Sequence, residues 1–264
     1  MAAGGRSASA WDPGQYARFG GHRLRPALEL LARIDHPSPR LIYDLGCGAG
    51  EIARLMAERW PDATVIGNDL SPEMLAKAAA GPGRVRWEQA DLRDWAPEAP
   101  PDVIYSNAAL HWLAGHEALF PRLAGFLAPG GVLAVQMPLS WDEPSHRLMR
   151  ATLADLGLGD AGLREELDRR WVADPEVYYD LLRPHARELD IWVTRYLQVL
   201  ESEDPVLEWV KGTGLRPVLA ALGDAARDRF LTDYRRRLAE AYPRRAGGET
   251  LFPFPRLFIV ARVA

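Results

Sequence analysis

Residues 41–52 read LIYDLGCGAGEI, in which three glycines follow one another at intervals of two, directly after an apolar run. A helical pattern, EIARLMAERW, begins at the end of this segment, so the sequence predicts a strand, a glycine turn and a helix. In an open α/β sheet, a glycine-rich turn after the first strand lets a ligand lie against the backbone. The G-x-G-x-G spacing is one residue shorter than the dinucleotide pattern G-x-G-x-x-G, which disfavours a pyrophosphate at the helix N-terminus.

The hundred residues around and after this turn alternate between strand and helix patterns. Strands are expected at 41–45, 63–68, 84–89, 102–106 and 131–137, and helices at 21–34, 51–60, 72–80 and 116–127. Parallel strands need crossover connections, which are usually helical, so the alternation predicts an α/β fold with a mostly parallel sheet and helices on both faces.

The chain after residue 140 is mainly helical in pattern, with two further strand candidates. We expect the helical pieces to be insertions that cover one edge of the sheet as a cap. The expected organisation is a disordered N-terminus at 1–10, a ligand-binding core at 11–140, cap insertions at 141–187 and 203–250, and strands completing the core sheet at 188–200 and 254–264.

Composition narrows the class of partner. The 264-residue chain has a formal net charge of −4 with scattered basic residues, which is not typical of nucleic-acid binding. Its one cysteine, Cys47, lies in the glycine turn, so neither a disulfide framework nor a cysteine-rich metal site is expected. The N-terminal MAAGGRSASAW lacks an apolar signal core, and no run of about 18 apolar residues occurs. We therefore expect a cytoplasmic protein that binds a small molecule, with no nucleic acid, membrane or metal partner.

Three later strand patterns also end in polar residues. Asp69 ends TVIGND 19 residues after Gly50, close to the offset of roughly 20 residues at which an acid reaches a ribose hydroxyl. Asp91 follows the third strand, where it could accept from a purine amino group, and Asn107 ends the fourth. The structural alternatives are a solvated strand-end acid for Asp91 and a turn residue for Asn107.

Taken in order, DLGCGAG, Asp69, the ADL at 90–92 and the SNAALHW at 106–112 resemble class I S-adenosylmethionine-dependent methyltransferases. Further segments, among them SPEM, PGGVLAVQMP, EPSH, TGLRP and FPRLFIVAR, are similar to trans-aconitate 2-methyltransferases over nearly the whole chain. The resemblance implies a Rossmann-like class I methyltransferase fold with an antiparallel C-terminal strand, and S-adenosyl-L-methionine as the cofactor.

The resemblance also implies roles for particular residues. Asp44 and the three glycines would shape the pocket for the methionine end of the cofactor, and Asp69 would bind both ribose hydroxyls. Asp91 would accept from the adenine amino group with Leu92 beside the ring, and Asn107 would contact the methionyl part. The expected cofactor residues are Asp44, Gly46, Gly48, Gly50, Asp69, Leu70, Asp91, Leu92 and Asn107.

The implied reaction is methyl transfer to a carboxylate of a small di- or tricarboxylic acid, trans-aconitate, giving a monomethyl ester. Such a carboxylate is already ionised at pH 7 and needs no general base. His111 is the one candidate base, and a structural role suits it better. Arginine pairs bidentately with carboxylates, although a surface arginine can also simply cover apolar groups. The candidate substrate residues are Arg216, Arg256, Arg195, Trp112, Tyr196 and Trp141, with Trp11, Tyr16 and Trp209 as further aromatic candidates.

Two other interpretations stay open from the sequence. An S-adenosylmethionine-dependent O-methyltransferase of a specialised-metabolite acid or hydroxyl would keep the cofactor and give His111 a role as base. A cofactor-binding regulatory module would bind the nucleoside tightly without turnover. We expect a monomer or a weak homodimer.

Overall fold

The computed structural model describes residues 24–264. The expected disorder at 1–10, the first residues of the helix expected at 21–34, and the candidates Trp11 and Tyr16 lie outside the described residues. Among the helices of residues 24–264, none has both the length and the hydropathy that crossing a membrane requires.

Seven strands form one sheet in the order β3-β2-β1-β4-β5-β7-β6. They are β1 (Leu41–Leu45), β2 (Thr64–Asp69), β3 (Arg86–Gln89), β4 (Val103–Asn107), β5 (Val132–Pro138), β6 (Ala186–Leu200) and β7 (Thr250–Val263). The first five strands pair in parallel. The Val263 N–H donates to the Gly131 carbonyl at 2.9 Å. The Leu139 N–H donates to the Pro255 carbonyl at 2.9 Å, so β7 runs antiparallel to β5. The predicted Rossmann-like fold is confirmed.

The helices connect these strands and form most of the later chain. They are α1 (Leu24–Ala32), α2 (Glu51–Arg59), α3 (Pro72–Ala80), a 3-10 turn (Leu110–Trp112), α4 (His116–Phe126), α5 (Pro144–Asp155), α6 (Ala161–Asp168), α7 (Pro175–Leu182), α8 (Pro205–Lys211), α9 (Arg216–Ala221) and α10 (Asp224–Ala241). At the start of α3 the Ser71 hydroxyl accepts from the Met74 N–H at 3.3 Å, and Pro72 occupies the first helical position. Local capping chemistry therefore sets where this helix begins.

The main departure from the expected boundaries is at the C-terminal strand. Between residues 41 and 138 the observed bounds lie within about two residues of the expected ones. The strand expected at 254–264 instead begins at Thr250, inside the segment expected to belong to the cap. Pro253 and Pro255 weaken the strand pattern because proline has no N–H to donate. Their carbonyls can still accept, as the Pro255 carbonyl does from Leu139.

The described chain divides into two compact units. The core unit comprises residues 24–136, 176–191 and 258–264, and the cap unit comprises 137–175 and 192–257. In the core unit β1, β4 and β5 are almost continuously buried, as expected for parallel strands covered on both faces. The strands β6 and β7 each contribute residues to both units.

Inside the cap unit, α5 packs against α10 through buried tyrosines. The Tyr234 hydroxyl donates to the Ser145 carbonyl at 2.8 Å, and the Ser145 N–H donates to the Tyr242 hydroxyl at 3.0 Å. An ion pair between Arg237 and Asp155 at 2.7 Å joins the same two helices. The first turn of α5, which carries the EPSH segment, is therefore held in place by α10 and the residue after it.

Candidate active site

The glycine turn between β1 and α2 is defined by its backbone conformation and its backbone hydrogen bonds. Gly46, Gly48 and Gly50 have φ angles of 75°, 55° and 77°, in the left-handed region that glycine adopts without a steric cost. The N–H groups of Gly46 and Cys47 both donate to the Asn68 carbonyl, at 2.8 and 2.9 Å. The turn is therefore tied to the carboxyl end of β2.

The three glycines differ in what surrounds them. A Cβ at Gly46 would lie 2.2 Å from the Cβ of Ala109, and a Cβ at Gly50 would lie 2.2 Å from the Trp87 ring. A Cβ at Gly48 would have nothing within 4 Å. Two of the glycines therefore make room for the protein's own side chains, and Gly48 alone faces open space where a ligand could approach the backbone.

Trp87 and Arg54, which the sequence analysis did not single out, support this turn. The Trp87 ring also occupies the space beside Gly67, where a Cβ would lie 2.5 Å from it. The Arg54 guanidinium donates to the Ala49 carbonyl at 2.8 Å and to the Ala78 carbonyl at 3.1 Å. The signal in the sequence was the glycine inside TVIGND, because a glycine within a strand often marks a close approach by another group.

Asp69 lies beside the open glycine. Its Oδ2 accepts from the Gly48 N–H at 2.9 Å, and its Oδ1 accepts from the Ser71 N–H at 2.9 Å. The two bonds fix the orientation of the carboxylate, and each oxygen keeps a further lone pair. A half-buried carboxylate held in this way can accept from two neighbouring hydroxyls, which fits the ribose of the expected cofactor.

Asp44 and Asn107 offer buried acceptors at the ends of neighbouring strands. Asp44 is 2% exposed, and within residues 24–264 neither its Oδ2 nor the Oδ1 of Asn107 has a hydrogen-bond partner. Burial, followed by the negative charge of Asp69, raises the pKa of Asp44 to about 7. A cationic amino group would relieve this cost, because an opposite charge favours the ionised carboxylate. The arrangement fits the amino acid end of S-adenosyl-L-methionine.

Cys47 is not placed for nucleophilic chemistry. Burial and then the charges of Asp44 and Asp69 raise the pKa of its thiol well above the usual range. The thiolate is the reactive form of cysteine, so this thiol stays protonated and inert.

The residues expected at the adenine lie on the loop after β3. The Ala90 N–H donates to the Asp69 carbonyl at 3.2 Å, which brings this loop to the end of β2. Arg93 pairs with Asp91 at 2.5 Å and lowers the pKa of that carboxyl to about 2. The Leu92 carbonyl accepts from an arginine of α4, and Leu70 is exposed. Asp91 is thus ionised, and it already has a cationic partner.

The segment after β4 turns sharply beside the glycine turn. Ala108 has a φ of 54°, which is uncommon for a residue with a side chain, and the 3-10 turn follows. The rings of His111 and Trp112 lie 4.6 Å apart, and Trp112 is 58% exposed. A large exposed aromatic at this position is available for contact with a ligand.

The candidate arginines of the cap unit have different environments. Arg256 is 7% exposed, and its guanidinium carbon lies 4.2 Å from the centre of the Phe254 ring. Arg216 is exposed at the start of α9. Arg195 is exposed on β6, 3.7 Å from Glu143 Oε2, whereas the next residue, Tyr196, is buried. Successive strand residues point to opposite faces, so the structure does not bring these last two candidates together.

The tryptophans of the cap unit are packed against protein groups. The guanidinium carbon of Arg150 lies 3.9 Å from the centre of the Trp141 ring. Trp209 lies 5.6 Å from Phe254, the residue that also contacts Arg256. One face of Trp141 is therefore already covered, and Trp209 belongs to the aromatic surroundings of the buried arginine. Within the described residues, no three or more His, Cys, Asp or Glu side chains are grouped to hold a metal ion.

Known proteins are similar to this chain over most of its length. A family model for a methyltransferase domain matches residues 42–131. The chain is 50% identical to a trans-aconitate 2-methyltransferase of Acidovorax ebreus (strain TPSY), over 96% of this chain and 98% of the relative. A trans-aconitate 2-methyltransferase of Azoarcus sp. (strain BH72) is 49% identical over 95% of this chain and 98% of the relative.

The fold also has counterparts among solved structures. The YcgJ protein from Bacillus subtilis superposes with a TM-score of 0.57 at 15% identity, covering 90% of this chain and 97% of that chain. This likeness concerns the fold alone, whereas the sequence identity to the curated relatives extends over nearly the whole of both chains. The predicted methyltransferase activity class is confirmed, and the protein belongs to the trans-aconitate 2-methyltransferase family.

Proposed function

We propose that this protein transfers a methyl group from S-adenosyl-L-methionine to one carboxylate of trans-aconitate, giving a monomethyl ester. The observation that carries the proposal is the glycine turn at Gly48. A Cβ at Gly48 would have nothing within 4 Å, and the Gly48 backbone lies beside the fixed carboxylate of Asp69. The names of the curated relatives support the choice of acid.

The cofactor would be held by residues of the core unit. Asp69 would accept from the ribose hydroxyls, Asp44 would pair with the amino group, and Asn107 would contact the methionyl part. Asp91 would accept from the adenine amino group, and Leu70 and Leu92 would flank the ring. When bound, S-adenosyl-L-methionine supplies a methyl group activated by the positive charge on its sulfur.

The acid would be bound by arginines of the cap unit. A carboxylate with a pKa near 4 is ionised at pH 7, so the protein does not have to remove a proton, and His111 is not required as a base. The protein must instead orient the acid and compensate its carboxylates for the water that they lose on binding. Arg256 is suited to this because its guanidinium is buried and fixed against Phe254, and a planar fork can pair with a carboxylate bidentately. We assign a secondary role to the exposed Arg216.

A screen of acceptors tests the proposal. The purified protein is incubated with labelled S-adenosyl-L-methionine and trans-aconitate, cis-aconitate, citrate or a monocarboxylic acid, and the products are identified by mass spectrometry. We expect a singly methylated ester with trans-aconitate as the best acceptor. Methylation of a hydroxyl compound in preference to every acid would contradict the proposal, and cofactor binding without turnover on any acceptor would indicate a regulatory module.

Two further features belong to the same proposal. We place the protein in the cytoplasm, where a lone cysteine beside a ligand site stays reduced. We also propose that it acts as a monomer or a weak homodimer. Sedimentation over a range of concentrations checks the second point, and a stable higher oligomer would contradict it.

A further inference from the structure

His116, at the start of α4, is buried between two hydrogen-bond partners. Its Nδ1 lies 2.7 Å from the Tyr178 hydroxyl, and its Nε2 lies 3.0 Å from the Leu110 carbonyl. A carbonyl can only accept, so Nε2 must carry the hydrogen. In the neutral ring, Nδ1 then accepts the hydroxyl proton of Tyr178. The tautomer follows from the two partners, and the three groups form one directed chain.

The surroundings of this chain keep the ring neutral and immobile. Burial lowers the pKa of His116, and the Tyr178 side chain is fully buried. The Phe120 ring lies 4.7 Å from the Tyr178 ring and 5.2 Å from the His116 ring. Helices α4 and α7 are thereby joined to the 3-10 turn through His116, Tyr178 and Leu110, which all belong to the core unit.

The Leu110 carbonyl belongs to the segment that follows β4. This segment begins with Asn107, places Ala109 against Gly46, and ends with the exposed Trp112. Its start is tied to β5, because the Ala108 N–H donates to the Gln136 carbonyl at 2.9 Å, and Ala108 has a strained φ. Further along, the Trp112 and Leu113 N–H groups make short turn hydrogen bonds to the Ala109 and Leu110 carbonyls, at 3.1 and 3.0 Å. The Leu110 carbonyl accepts from the Leu113 N–H within the turn, and the His116 side chain is a second donor that joins this turn to α4.

We propose that His116 and Tyr178 are positioning residues that fix the turn at 107–112 against the glycine turn, and so set the affinity for the cofactor. The inference rests on the proposed function in one respect, namely that Asn107 contacts the methionyl part. His116 acts through its bond to Leu110, and Tyr178 acts one step further away by orienting the ring.

Two substitutions of His116 separate the two bonds. The amide nitrogen of His116→Gln can reach the place of Nε2 and keep the bond to Leu110. The amide of His116→Asn reaches only the place of Nδ1, so it keeps Tyr178 and loses Leu110. Tyr178→Phe removes the outer bond alone. Tyr234→Phe, in the cap unit, is the control, because it also removes a buried, hydrogen-bonded hydroxyl, in this case one that donates to the Ser145 carbonyl.

The readouts are the affinity for S-adenosylhomocysteine by calorimetry, hydrogen exchange of the amides at 107–113, and the melting temperature. We expect His116→Asn to weaken binding at least tenfold and to accelerate exchange selectively in that segment. His116→Gln and Tyr178→Phe should weaken binding less than threefold, and Tyr234→Phe should leave it unchanged.

The proposal is wrong if His116→Asn keeps the affinity, or if all variants lose affinity in proportion to their melting temperatures. Should His116→Asn not fold, His116→Gln still decides, because a folded Gln variant that loses tenfold in affinity contradicts the role of Leu110. None of these measurements requires an acid substrate, so they stand even if the proposed acceptor is wrong.

Discussion

The glycine turn of the core unit and the arginines of the cap unit, which we propose as ligand-binding groups, are built in different ways. The turn is built from consecutive residues, and its key groups are backbone N–H groups, absent side chains and the fixed carboxylate of Asp69. The arginines lie on three separate elements, and they range from the buried Arg256 to the exposed Arg216 and Arg195.

This difference indicates which substitutions each region tolerates. At the glycine turn, added volume should be damaging even without a change of charge, because the space is filled by Ala109 and Trp87. At Arg256, a change of shape at constant charge should be damaging, because a guanidinium fork is what pairs with a carboxylate. The predictions below test this contrast, in order of decreasing effect.

The largest effect is expected for Gly50→Ala. The new Cβ would lie 2.2 Å from the Trp87 ring, on a backbone with a φ of 77°. Overpacking and the left-handed backbone together should lower the free energy of unfolding by about 2–4 kcal/mol. Urea denaturation measures this loss in the free energy of unfolding. Gly48→Ala is the control, since it adds backbone strain without a clash, and an equal loss in the two variants would contradict the packing role of Trp87.

The close packing of the Trp87 ring can also be tested at Gly67, where the backbone is not in the left-handed region. Gly67→Ala should lower the free energy of unfolding by about 1–3 kcal/mol, because its Cβ would lie 2.5 Å from the Trp87 ring. Combining it with Trp87→Leu should recover part of that loss in a double-mutant cycle. Additive losses in the double variant would show that the two positions do not interact.

The next effect concerns Asp69, whose carboxylate accepts from the Gly48 N–H of the glycine turn. Asp69→Ala should weaken S-adenosylhomocysteine binding at least tenfold, because hydrogen bonds to a charged acceptor contribute about 1.5–3 kcal/mol. Calorimetry measures the affinity, with Asp62→Ala as an exposed control on the approach to β2. Unchanged affinity would remove Asp69 from the cofactor site.

A smaller effect is expected for the binding of the acid substrate. Arg256→Lys should raise the KM for trans-aconitate at least tenfold while the cofactor affinity stays constant, because lysine keeps the charge and loses the fork. Arg216→Lys should have a smaller effect, since that side chain is exposed, and Arg229→Lys serves as an exposed control in α10. Steady-state kinetics with each substrate varied in turn decides this. A wild-type KM in both of the first two variants would exclude an arginine clamp.

The smallest expected effect is the release of a proton from Asp44 when the cofactor binds. The pKa of Asp44 is raised to about 7, so at pH 7 the carboxyl is about half protonated before the cofactor binds. Pairing with a cationic amino group lowers that pKa, so binding should release about half a proton at pH 7 and progressively less above pH 8. Calorimetry in buffers of different ionisation enthalpy measures the release. If Asp44→Asn releases as much, the proton comes from another group.

The sequence alone was sufficient for features that are local in the chain. The strand, glycine turn and helix at 41–59 follow from hydrophobic period and glycine placement, and the alternating pattern to residue 138 predicts the parallel sheet. Asp69 could be singled out because parallel strands end at one edge, so a fixed offset from the glycines carries spatial meaning. The element boundaries rest on short-range backbone preferences, and the sheet and Asp69 add only general rules for how parallel strands are connected and where they end.

Tertiary structure decided everything that depends on which distant groups become neighbours. It assigned two of the three glycines to Ala109 and Trp87 rather than to a ligand. It buried Arg256 while leaving Arg216 exposed, although both occur in segments that resemble the same family. It also brought the Tyr178 hydroxyl within hydrogen-bonding distance of His116, 62 residues away in the chain. Burial and long-range hydrogen bonds are properties of the packed molecule, so no local pattern of residues could have specified them.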